Sequence, residues 1–147
     1  DLNPYRFIVL ENQALNTLGT ALKNAAIAQG ETDEKTLKKA ENMPLRAPMI
    51  IACVTDFKPH DKVPHWEQIA ASSCAVQNLL LALMAQGFAT VWRTGPLANA
   101  PAIKQLFNVT ADNQVIAFVY VGTAVSTIPP RSKIDVTPFI VYDNGTN

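Results

Sequence analysis

Apolar positions along this chain change their spacing several times, and each change marks an element. YRFIVL (residues 5–10) is dense in β-branched and aromatic residues and reads as a strand. Leu15, Leu18, Leu22 and Ala25 then recur at three- and four-residue spacing. That predicts an amphipathic helix over residues 12–29, stopped by Gly30. The polar run TDEKTLKKAENM predicts a shorter helix, with Thr32 as cap, Asp33 and Glu34 in its first turn and Pro44 past its end. APMIIACVTDF (47–57) shows no alternation, the pattern of a strand buried on both faces. KPHDKVPH reads as a loop.

The longest predicted helix runs from Trp66 to Gln86. Its second half is apolar nearly all round, which predicts a central, buried helix, with Gly87 as the residue that ends it. FATVWR is a third strand, Pro101 opens a short helix ending near Phe107, and QVIAFVYVGTA (114–124) is a fourth strand. The tail, 125–147, has no helical period. After Pro129, Pro130, Arg131 and Lys133 comes PFIVY (138–142), strand-like but without a place in its own sheet. Pairing with the sheet edge of another subunit would give it one. No repeat or second domain interrupts the pattern, so residues 1–147 read as one domain.

Composition narrows the function classes. Lys+Arg and Asp+Glu number 12 each, so the formal charge is zero and there is no electrostatic footprint for nucleic acid. The longest unbroken apolar run, Leu79 to Ala85, falls well short of the ~20 residues a bilayer span needs. The opening DLNPYRF lacks both Met and the charged and apolar regions of a signal peptide, and suggests a trimmed chain. Cys53 and Cys74 sit in apolar settings outside any C-x-x-C pair. They read as reduced, buried thiols of a cytoplasmic protein.

Several chemistries lack their motifs. There is no G-x-S-x-G, and Ser72 and Ser73 have no His at useful spacing, so both read as polar residues of a packed helix. No G-x-G-x-x-G follows a strand. His60, Asp61, His65 and Glu67 cluster without a regular ligand spacing, so no metal site is expected, and Glu67 suits a first helical turn. Trp92, Arg93, Thr94 and Gly95 stand out at a strand end. One reading is a core Trp beside an Arg in a structural ion pair. The other is a ligand with a flat apolar body and an anionic end, for which flavin mononucleotide (FMN) is a fit.

VPHWEQIAASSCAVQNLLLALMAQGFATVWRTG, with RAPMIIACV before it and VIAFVYVGTA after it, resembles the core of the FMN-dependent nitroreductase family, within it the small YdjA-like group. The resemblance is strongest from Leu45 to Ala124. It implies an α+β fold with a central mixed sheet flanked by helices. It also implies an obligate homodimer with FMN at the subunit interface and exchange of the C-terminal strand. The implied reaction is ping-pong: NADH or NADPH reduces FMN, and a nitroaromatic, quinone or similar electron-poor small molecule is then reduced in the same pocket. Trp92, Arg93, Thr94 and Gly95 become the cofactor-binding segment. The backbone N–H groups of Thr94 and Gly95 lie near flavin N5, and no side chain acts as a catalytic group. Residues 82–87, a stretch the family assigns to the nicotinamide dinucleotide, read more simply as core.

The family's N-terminal arm, whose Arg-x-Ser residues hold the flavin phosphate, has no counterpart here. Asp1 to Tyr5 stand where the family has N-x-Q-P-W, so the chain reads as starting inside a family motif. That leaves Arg131 and Lys133 as candidate phosphate charges, and poor or no FMN binding by this chain as the expectation. Two other readings remain at this stage. One is a catalytically impaired flavin-binding or structural dimer. The other is a small acyltransferase, for which the glycine-rich acyl-carrier loop is missing.

Overall fold

The computed structural model describes residues 2–110, 112–126, 129, 132–143 and 145. Along them run β1 (Tyr5–Glu11), α1 (Gln13–Ala28), α2 (Glu34–Asn42), β2 (Met49–Thr55), α3 (His65–Ala85), β3 (Ala89–Arg93), α4 (Pro101–Leu106) and β4 (Val115–Gly122). The strands form one sheet in the order β1-β2-β4-β3, a fold of the α+β class. Each of the three pairings is antiparallel, where the resemblance implied a mixed sheet. Every strand runs against its neighbour, so a parallel member would have to come from outside these residues.

Two cores flank the sheet because β2 is buried on both sides, from Ile50 to Thr55. Ile50, Ala52 and Val54 point to the face covered by α1 and α4, packing with Leu18, Leu22, Ile103 and Phe118. Ile51 and Cys53 point to the other face, with Ala117, Val119 and Val76 of α3. The two-residue period of a strand produces this division. α1 approaches α2 closely at Gly19, where an added Cβ would stand 2.1 Å from the Glu41 carbonyl oxygen. Asp33, rather than Thr32, caps α2: its carboxylate accepts from the Thr36 hydroxyl at 2.7 Å and from the Thr36 N–H at 2.8 Å, and these bonds lower its pKa.

Two helix ends are built alike. At α3 the Gly87 N–H donates to the Met84 carbonyl at 3.0 Å and the Phe88 N–H to that of Leu83 at 3.0 Å. This is a Schellman stop, with Gly87 at φ +86 in the left-handed region where glycine is favoured. Gly30 ends α1 in the same manner.

Three expectations change here. α3 is not buried all round: only Gln68, Ser72 and Val76 of its 21 residues are buried, because the sheet is its one large neighbour. Met84, 64% exposed, and Leu81 stand clear of the sheet. PFIVY is not a strand within this chain: Thr137–Phe139 form a 3-10 turn, and Ile140, Val141 and Tyr142 pair with neither edge of the sheet. Cys74 is exposed, since it falls off the buried line of α3, whereas Cys53 is buried. Burial pushes the Cys53 thiol up to about 12.

Candidate active site

The Gly87 stop turns the chain from α3 directly into β3, which ends at Arg93. Thr94 to Ala100 then lead to α4, whose first residue is Pro101. β1 begins, β2 ends, β3 ends and β4 begins at the same end of the sheet, as the pairs Tyr5–Thr55, Val54–Val115 and Arg93–Phe118 require. The WRTG segment therefore shares one sheet end with the N-terminal residues Leu2 to Pro4. Those residues and Tyr5 lie against Gln68 and Cys74 of α3 along a groove of about 440 Å³. Ser72 Oγ donates to the Pro4 carbonyl at 3.1 Å and ties the two segments together.

Strand alternation separates the four candidate residues. Trp92 pairs with Val119, on the α3 side, and Arg93 pairs with Phe118, on the α1 side. Arg93, Thr94 and Gly95 line a cavity of about 140 Å³ with Leu97, Phe118 and Tyr120, and Trp92 is not part of its wall. The Trp92 indole N–H donates to the Ile116 carbonyl at 3.2 Å, and the Thr94 hydroxyl donates to the same oxygen at 2.9 Å. Neither half of the purely structural reading fits. Trp92 is 37% exposed rather than core. Among the described residues Arg93 has no carboxylate partner. Its charge acts instead on the Tyr120 phenol, whose pKa is raised by burial and pulled back by Arg46 and Arg93.

The backbone beyond β3 is open. Among the described residues no hydrogen bond uses the N–H of Thr94 or Gly95. Gly95 sits at φ +82 with nothing within 4 Å of an added Cβ. Unpaired donors beside a residue without a side chain form an anion- or ring-edge-accepting surface.

Other candidates fall elsewhere. His65 stacks on Phe57 at 4.1 Å, and His60 Nδ1 accepts from the Lys62 N–H at 3.1 Å. Among the described residues no three His, Cys, Asp or Glu converge on a point that would hold a metal. Lys133 is exposed in the tail; Arg131 and Asp1 lie outside the described residues. Sequence reasoning missed Asn99 and Ile116, which hold the loop. Asn99 carried a faint signal, a polar residue just before a Pro-started helix.

The family model for the nitroreductase family matches residues 1–123. The chain belongs to the nitroreductase family. It is 42% identical over 143 residues to a Haemophilus influenzae protein provisionally named NAD(P)H nitroreductase, covering 96% of this chain and 77% of that one. It is 35% identical over 142 residues to the provisionally named NAD(P)H nitroreductase YdjA of Escherichia coli K12, with the same coverage. Among solved structures, a nitroreductase-like family protein from Bacillus cereus superposes with a TM-score of 0.78 at 19% identity, over 97% of this chain and 74% of that one. The FMN and NADPH-dependent nitroreductase NfnB from Sphigopyxis sp. strain HMH superposes with a TM-score of 0.65 at 12% identity, over 96% and 80%. The nitroreductase fold is thus the fold of this chain, and its WRTG segment lies at one end of that fold's sheet.

Proposed function

We propose that this nitroreductase-family chain is an FMN-dependent oxidoreductase that draws electrons from NADH or NADPH and delivers them to nitroaromatic, quinone or similar electron-poor small molecules in turn. The observation that carries the reading is the pair of N–H groups at Thr94 and Gly95 that find no acceptor among the described residues, set beside an Arg93 that has no carboxylate partner among them. The names of the relatives, for NAD(P)H, and of a fold neighbour, for FMN, support it.

The residues present fit such a group. Thr94 and Gly95 offer fixed donors to the flavin edge near N5, and Gly95 leaves room for close backbone approach. Arg93 offers a guanidinium for flavin carbonyl or phosphate oxygens. Bound FMN supplies the hydride chemistry; the chain binds it, orients it and sets its electrostatic surroundings. No acid or base among the side chains is required at that edge.

A homodimer belongs to the same reading. The outer side of α3 carries exposed Trp66, Leu81 and Met84, and the tail exposes Phe139, Val141 and Tyr142. Apolar surface of that extent marks an interaction face. By length and composition α3 is also long and apolar enough to cross a membrane, 21 residues at a hydropathy of 1.4. We read it as the helix between subunits, since Gln68 and Ser72 fasten it to the polar loops of this fold. The zero net charge and free thiols accord with a cytoplasmic protein without a nucleic-acid partner.

The test is the visible spectrum of the chain with FMN. The reading predicts a bound flavin band that bleaches on addition of NADH or NADPH and returns with a quinone. A bound band that neither reductant bleaches points to the impaired flavin-binding dimer. Because binding is expected to be poor, FMN is supplied in large excess, and no bound band even then contradicts both.

A further inference from the structure

We propose that Asn99, acting with the side chains of Thr94 and Trp92, is a positioning residue that fixes the Thr94–Gly95 backbone before any ligand arrives. What is being positioned rests on the flavin reading above.

β4 contains one residue more than its partner. Cys53 pairs with Ala117 and Val54 with Val115, so Ile116 has no counterpart on β2. Such a bulge takes a backbone group out of the ladder and re-aims it. Here the Ile116 carbonyl accepts the Thr94 hydroxyl at 2.9 Å and the Trp92 indole N–H at 3.2 Å. One residue earlier, Asn99 grips Val115 from both sides. The Val115 N–H donates to Asn99 Oδ1 at 2.8 Å, and Asn99 Nδ2 donates to the Val115 carbonyl at 3.0 Å. The loop is therefore fastened at its entry and its exit to adjacent residues of one strand, with Gly95 between the two fastenings.

The anchor is itself held. The Gln114 N–H donates to Thr55 Oγ1 at 2.8 Å, and the Thr55 N–H donates to the Gln114 carbonyl at 2.8 Å, joining the start of β4 to the end of β2. A loop containing a glycine at φ +82 has wide conformational freedom when untethered. Two clamps onto a rigid strand remove that freedom in advance, which lowers the ordering cost of binding. Asn99 does this without lining the cavity beside Arg93. Trp92 joins the clamp through its indole N–H.

Hydrogen exchange of the cofactor-free chain tests the clamp. In Asn99→Ala the amides of Ala98 and Ala100, which donate within the loop to the Gly95 and Leu97 carbonyls, should exchange about tenfold faster, while those of β2 keep their protection. Asn99→Asp, which retains the acceptor for the Val115 N–H, should fall between. Unchanged exchange at Ala98 and Ala100 overturns the proposal. So does a uniform loss across the sheet, which would make Asn99 a simple fold-holder. At saturating FMN the midpoint potential of the bound flavin should move toward the free-flavin value in Asn99→Ala, and an unmoved potential also counts against positioning. If FMN fails to slow exchange at Thr94 and Gly95 in the unmutated chain, the flavin reading falls, and the cofactor-free exchange still decides the clamp.

Discussion

Trp92 and Arg93 are neighbours in the chain and stand on opposite faces of the sheet, so their replacement has separable effects. Arg93→Ala removes a charged donor that holds no carboxylate in the described residues. Its melting temperature should stay near that of the parent. FMN affinity should fall by about 1.5–3 kcal/mol, roughly tenfold or more, by fluorescence titration. A lowered melting point with unchanged affinity would return Arg93 to a structural role. The two thiols divide as well. Cys74 is exposed, and Cys53 is buried with its pKa raised from 9.0 to about 12. In the monomeric Met84→Glu variant, native alkylation near neutral pH should therefore label Cys74 alone, read by intact mass. Between pH 9 and 12 the unfolded chain sheds the Cys53 proton that the folded chain keeps, so this group lowers stability as pH rises through that window. Cys53→Ser or Cys53→Ala should flatten that part of the stability profile. The exposure of Cys74 was not legible from residue type, because its apolar neighbours on α3 are exposed too.

At the scale of elements, the helices and strands announced themselves where one neighbour suffices to explain them. The period of Leu15, Leu18 and Leu22 gave α1 because those side chains bury against this chain's own sheet. The unbroken apolar run of β2 likewise has a core on each side. The apolar surround of α3 promised burial that one sheet face does not provide. PFIVY promised a strand for which no edge of this sheet is used. In the proposed dimer both failures would have one physical cause: apolar patterning records every surface a segment covers, including surfaces of other molecules. The contact at Gly19 was invisible for the opposite reason, since a glycine inside a helix reads as a weakness. Gly19→Ala should drive α1 from α2, because its Cβ would meet the Glu41 carbonyl at 2.1 Å. Overpacking of this kind costs about 1–3 kcal/mol or more, and denaturant melting would show it. A neutral Gly19→Ala would mean that α2 shifts freely.

The whole molecule is a two-sided sheet with α1 and α4 over one face and α3 only partly covering the other. The account therefore expects a dimer through α3 and the tail, shown by sedimentation at micromolar concentration. Met84→Glu, at a residue 64% exposed, should leave the protomer folded and shift the population to monomer. A stable monomer of the unmutated chain would refute the dimer. The WRTG segment stood out as a candidate site from its residue types, but its division between two faces and the hydrogen bonds that tie it and Asn99 to Ile116 and Val115 needed three dimensions. The central claim is that FMN binds at the Thr94–Gly95 backbone. Titrating FMN into the isotope-labelled chain while recording backbone amide resonances tests it most directly. The account predicts that the Thr94 and Gly95 amides shift most and saturate together, with Arg93 beside them. Shifts that spare these amides, or that centre on another surface, would contradict it.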